Sequence, residues 1–106
     1  MGIIKAIKHG WYSGKGNKNL RNGNYREAFN YYKEALKYSE NEGGRAAILE
    51  CAAKSLIFLN EYNEAASYLE ESLTIYKELE DCNTIFKAGA DRVRNMLDSI
   101  KMDKIH

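Results

Sequence analysis

Asn24-Tyr25-Arg26-Glu27-Ala28 returns later in the chain as Glu61-Tyr62-Asn63-Glu64-Ala65, and this recurrence decides the fold. The offset from Tyr25 to Tyr62 is 37 residues. At that offset Tyr31 meets Tyr68, Glu34 meets Glu71, Leu36 meets Leu73, Tyr12 meets Leu49 and Gly16 meets Ala53. A further step sets Phe86 under Leu49, Ala90 under Ala53 and Val93 under Leu56. The unit runs two and a half times. A self-similar period of roughly 20 to 50 residues marks a solenoid of stacked supersecondary units.

Each unit reads as helix. Tyr62, Ala65, Ala66, Leu69, Leu73, Tyr76 and Leu79 form an i, i+3, i+4, i+7 stripe. Ile48, Leu49, Ala52, Ala53, Leu56 and Leu59 form another, as do Tyr25, Ala28, Phe29, Tyr32, Ala35 and Leu36, and Phe86, Ala90, Val93, Met96, Leu97 and Ile100. A first segment, about Ile3 to Leu20, keeps the helical pattern but carries Gly10, Gly14 and Gly16, which weaken it. Asn22-Gly23-Asn24 ends that segment, and Asn24 with Glu27 resembles a capping box. Gly43-Gly44 is expected to end the second helix, and Asn60-Glu61 to make a tight turn into the fourth. Asp81-Cys82-Asn83 separates the fourth from the fifth, with Asn83 or Asp81 as N-cap. Short connections make neighbouring helices antiparallel.

Composition agrees. The 106 residues fit one domain. The chain has no proline and a single valine, and glutamate, lysine, leucine and alanine are plentiful. No apolar run reaches membrane-spanning length. Cys51 and Cys82 are too few and too far apart for a disulfide scaffold, and Met1–Gly10 lacks the apolar core of a signal peptide. A cytoplasmic location with reduced thiols is expected, Cys51 serving as a small core residue. Gly2 is a poor myristoylation acceptor because Ala6 stands where Ser or Thr is needed.

The repeat resembles the tetratricopeptide repeat family, whose unit is a helix–turn–helix. The first unit supplies Tyr12, Gly16, Ala28, Tyr32 and Ala35, with the turn Gly23-Asn24-Tyr25; the second supplies Leu49, Ala53, Ala65, Leu69 and Ser72. Small residues let the helices of a hairpin approach, and large ones fill the gap to the next hairpin. Glu40 and Lys77 replace the family's proline, Lys15 and Asn19 stand where leucine and tyrosine are usual, and the period exceeds the usual ~34 residues. The resemblance implies an all-α, right-handed solenoid of antiparallel helix hairpins, about five helices in all. Residues 1–8 would be a basic and apolar N-terminal extension, 9–45 the first repeat, 46–82 the second, 83–100 a capping helix and 101–106 a tail.

No catalytic constellation is legible. His9 and His106 lack ligand partners at metal spacing. Gly14-Lys15-Gly16 lacks the remaining residues of a phosphate loop, and its simpler reading is a helix closely packed at Gly16. Glu70 and Glu71 diverge by about 100° on a helix and form no dyad. The repeat-equivalent tyrosines read as packing or rim residues. No enzyme and no cofactor is expected. The resemblance instead implies a non-enzymatic adaptor, holding a segment of a partner protein in a concave groove lined by the first helix of each unit. Its candidates are Ser13, Asn17, Leu20 and Arg21, then Glu50, Lys54, Ile57 and Phe58, then Lys87, Asp91, Arg94 and Asn95. A family subtype reads the C-terminal carboxylate of heat-shock chaperones. Asn17 matches its motif, but Ser13 stands at the anchoring lysine and Cys51 at the second asparagine, so that ligand is not expected.

The net charge of +1 conceals an asymmetry. Lys5, Lys8, Lys15, Lys18, Arg21 and Arg26 fall within residues 1–26, which hold no acid. Residues 61–81 hold Glu61, Glu64, Glu70, Glu71, Glu78, Glu80 and Asp81 against Lys77. Opposite ends could steer association or pair copies head to tail. Ile3, Ile4, Ile7 and Trp11 form an apolar stripe with three readings: a cap folded back on its own chain, a face for a partner or a homo-oligomer, or a membrane-surface contact. Nucleic-acid binding through residues 1–26, with Trp11 and Tyr12 stacking on bases, is a less favoured reading, since no nucleic-acid-binding signature accompanies it.

Overall fold

The computed structural model describes residues 2–105, and His106 lies outside them. Five helices follow in order: α1 (Gly2–Arg21), α2 (Tyr25–Leu36), α3 (Glu42–Phe58), α4 (Tyr62–Leu79) and α5 (Thr84–Ile105). No strand occurs among the described residues. α1 pairs with α2 and α3 with α4; α2 packs on α3, and α5 on α4. The molecule measures 47 × 35 × 18 Å. Its thin dimension is about two helix diameters. This is a helical-hairpin solenoid.

The period is written into the turns. Gly23 has φ 82° and Asn60, its equivalent 37 residues on, has φ 62°. Both close a helix in the same way. The Asn24 amide donates to the Asn19 carbonyl at 2.8 Å, and the Glu61 amide to the Leu56 carbonyl at 2.9 Å. The Gly23 and Asn60 amides donate to Leu20 and Ile57 at 3.2 and 2.9 Å. This Schellman pattern needs a residue in the left-handed region, which glycine and asparagine adopt at least cost. Arg26, just past the first turn, pairs with Glu61 in the second.

Several local expectations are corrected. Gly43 and Gly44 lie inside the first turn of α3, where the Asn41 side chain accepts the Gly44 amide at 2.9 Å. α2 ends earlier, at Leu36, through tightened bonds from the amides of Lys37, Tyr38 and Ser39 to Glu34, Ala35 and Leu36. Asn24 does cap α2, but its side chain makes no capping bond and donates instead to Asn19 Oδ1 at 3.3 Å. Asn83 rather than Asp81 caps α5, accepting the Ile85 amide at 2.9 Å. The glycines do not interrupt α1, which runs unbroken through the expected extension at 2–8. α5 likewise continues to Ile105, through the expected tail.

The core follows the repeat. Gly16 is the one buried residue of α1, lying under Tyr32. A Cβ there would sit 2.6 Å from the ring, so any larger residue must displace Tyr32. The Tyr32 hydroxyl donates to Asn17 Oδ1 at 2.6 Å. In the second hairpin the equivalent pair is Ala53 and Leu69, both fully buried. A smaller partner leaves room for the extra methyl. Phe29 meets Tyr68 edge to face at 5.6 Å, joining α2 to α4. The buried Ser72 hydroxyl donates to the Ala46 carbonyl at 2.8 Å and fixes α4 on α3. Cys51 packs half-buried against this core, and burial raises its thiol pKa.

Candidate functional site

An open cleft of about 410 Å³ runs between α3 and α5. Lys54, Ile57 and Phe58 come from α3, Tyr62 from the start of α4, and Asn95, Met96, Ser99 and Ile100 from α5. Ile100 is buried, whereas Phe58 is 58% exposed. Phe58 is not loose, because its ring stacks on Tyr25 with centroids 4.6 Å apart and planes 11° apart. The cleft is thus mainly apolar, with the Lys54 ammonium, the Asn95 amide and the Ser99 and Tyr62 hydroxyls as its polar groups. Such a lining fits side chains of a partner segment better than a charged small molecule.

Glu50 departs from the groove reading. It is only 4% exposed and faces inward. Its Oε1 accepts the Tyr76 hydroxyl at 2.9 Å and Arg92 Nη2 at 3.1 Å; its Oε2 accepts Arg92 Nε at 2.8 Å. Lys54 Nζ stands 4.0 Å from the same Oε2. A buried carboxylate must be paired, and here one residue of α3 gathers donors from α4 and α5. Burial, and then the adjacent carboxylate, push the Tyr76 hydroxyl above the usual tyrosine range. The hydrogen bonds to Glu50 raise the Arg92 pKa, so the guanidinium stays charged. Beside it Gly89 packs under Tyr76, where a Cβ would lie 2.7 Å from the ring. The network clamps α5 against the second hairpin and so forms one wall of the cleft.

Of the expected groove residues, the cleft brings together Lys54, Ile57, Phe58 and Asn95. Ser13, Asn17, Leu20 and Arg21 on α1, and Lys87, Asp91 and Arg94 on α5, fall outside its lining. Ser13 donates to the Gly10 carbonyl at 3.2 Å, Asn17 is engaged by Tyr32, and Arg94 pairs with Asp91 at 3.1 Å. Arg21 and Lys87 are exposed. Sequence reasoning missed the Glu50–Tyr76–Arg92 network. Its members lie 26 and 42 positions from Glu50, so no local pattern marks them. Met96 and Ile100 were legible only as a core stripe, and they do pack there while flooring the cleft.

Residues 45–80 match the family model described as Tetratricopeptide repeat. They form a tetratricopeptide repeat. The repeat takes in α3 and α4 almost entirely, so the Glu50 clamp and the α3 wall of the cleft belong to it. The Schellman turn it shares with the first hairpin extends the same architecture to α1 and α2. Comparison with curated proteins gives no match. Tetratricopeptide repeats are in general protein-interaction modules. Among the described residues no group of three or more His, Cys, Asp or Glu side chains could hold a metal ion, and no helix is long and apolar enough to cross a membrane.

Proposed function

We propose that this protein is a non-enzymatic interaction module that holds a short segment of a partner protein in the cleft between α3 and α5. The carrying observation is the apolar floor of Ile57, Met96 and Ile100, beside the exposed, ring-braced Phe58. Aromatic side chains that become buried on binding are common energetic anchors of an interface. A segment presenting two apolar side chains fits the floor. Asn95 and Ser99 can satisfy its backbone, and Lys54 can receive an acidic side chain. Glu50 contributes as the clamp that positions α5. Ser13, Asn17, Arg21, Lys87, Asp91 and Arg94 would form the polar flanks of a longer ligand. Cys51 and Cys82 as reduced thiols fit a cytoplasmic setting.

The test is affinity purification from the native host with wild type and two variants, Phe58→Ala and Lys54→Glu/Arg94→Glu. Partners held in the cleft are expected to weaken about tenfold or more on loss of Phe58. If every partner is retained at wild-type level by both variants, the cleft is not the binding site.

A further inference from the structure

The stripe on α1 does not fold back as a cap. Ile3, Ile4, Ile7 and Trp11 are 74%, 62%, 66% and 55% exposed. At 100° per residue they fall within an arc of about 100° on one side of the helix. Behind them stands a ring cluster. Trp11 meets Tyr12 at 5.1 Å and Tyr31 at 6.2 Å, both edge to face, and Tyr12 stacks on Tyr38 at 5.8 Å. Lysines decorate the cluster: Lys8 Nζ lies 5.2 Å from the Tyr38 ring and Lys15 Nζ 5.4 Å from the Trp11 ring. The whole of α1 carries Lys5, Lys8, Lys15, Lys18 and Arg21 and no acid. Glu40 lines a cleft with Gly2, Ala6 and His9 on the other side of α1; of the acids beside Tyr12 and Tyr31, Glu27 and Glu34, the latter is paired with Lys37 at 3.0 Å.

We propose that this end of α1, an isoleucine tip backed by a tryptophan–tyrosine belt and flanked by lysines, docks on an anionic lipid bilayer. The order of chemistry along the helix matches the order met at a bilayer surface. Apolar side chains reach the acyl boundary, Trp and Tyr sit at the headgroup level, and lysine stems snorkel to the phosphates. A second copy fits less well. The exposed surface of the four side chains falls short of the ~800 Å² per partner that a stable interface buries. Stacking on nucleobases is disfavoured because the Trp11 ring is already met by Tyr12, Tyr31 and Lys15.

Trp11 is the single tryptophan and reports directly on the event. The full chain is to be floated with phosphatidylserine-containing vesicles and with pure phosphatidylcholine vesicles, with its fluorescence recorded. Binding and a blue shift are expected with the anionic vesicles, and about tenfold or weaker binding with the neutral ones or in high salt. Ile4→Glu/Ile7→Glu, at solvent-exposed positions, should keep the wild-type helicity and lose binding about tenfold or more. Lys5→Gln/Lys8→Gln should weaken it about fivefold per charge removed. The proposal is overturned if anionic vesicles give neither flotation nor shift, or if the isoleucine variant binds as wild type does. It is equally overturned if light scattering shows a dimer that this variant abolishes. Salt-sensitive oligonucleotide binding without vesicle binding would also end it.

Discussion

Trp11, Lys15 and Lys18 on α1 occupy the positions that Ile48, Ala52 and Ser55 occupy on α3, one 37-residue step apart. On α3 this face is shut: Ile48 is 6% exposed, and Ala52 and Ser55 are fully buried. On α1 Trp11 and Lys18 are exposed and Lys15 is half-buried. Both are helices that end in the same Schellman turn. What differs is the neighbour. α3 has the first hairpin to lean on, and α1 has no hairpin ahead of it among the described residues. The repeat therefore sets where each face points, and adjacency sets what chemistry the face can bear. Residues intolerable in one register position are harmless in its copy.

The sharpest way to break this comparison is to exchange the chemistry. Ala52→Lys places on the closed face the residue its copy carries on the open one. An unpaired ammonium there costs several kcal/mol, comparable with the ~5–15 kcal/mol that holds a domain together. The expected result in denaturant titration is a largely unfolded chain. Arg92→Ala comes next. It leaves the buried Glu50 carboxylate with the Tyr76 hydroxyl and a distant Lys54. A loss of about 2–3 kcal/mol is expected, below the full penalty of a broken buried pair because Arg92 is itself 52% exposed.

The Gly16–Tyr32 and Ala53–Leu69 pairs give a finer comparison. Gly16→Ala should destabilise by about 1–3 kcal/mol through its clash with Tyr32. Tyr32→Leu should lose packing and the bond to Asn17. The double variant recreates the pairing of the second hairpin, so its cost should fall below the sum of the two singles. Strict additivity would show that the pairs are not interchangeable.

Alkali probes both hairpins together. Burial raises the pKa of Tyr32, and burial then Glu50 raise that of Tyr76. The folded state therefore holds these protons more tightly than the unfolded chain does. Their contribution is complete below the ordinary tyrosine value of ~10 and is lost as pH climbs from there through the raised folded-state values. Denaturant midpoints should fall above that pH, and less steeply in Tyr32→Phe or Tyr76→Phe. The smallest effect belongs to the open face, where Lys15→Ala should change stability by no more than about 0.5 kcal/mol.

Much of this fold was legible in the sequence. The 37-residue recurrence located both hairpins, and the helical stripes named most of the core. Legibility failed where a contact crosses long spans of chain. Glu50 occupies a groove position by its number, yet Tyr76 and Arg92 turn it inward, and no local spacing announces that. Gly43-Gly44 misled in the opposite way. Glycine signals a helix end in general, but Asn41, two residues ahead, supplies a cap that lets both glycines enter α3. The candidate cleft was half legible, because Lys54, Ile57, Phe58 and Asn95 stand in the groove that the resemblance to tetratricopeptide repeats implies. Met96 and Ile100 serve core and cleft at once, and a stripe reads only as core.

The difference between the open and the closed face can be measured residue by residue with amide hydrogen exchange. Amides of residues 48–56 in α3 should exchange only through global unfolding, and those of residues 3–8 in α1 should exchange by local opening, orders of magnitude faster. Equal protection of the two segments would mean that the end of α1 is covered in the free protein, and would contradict the account.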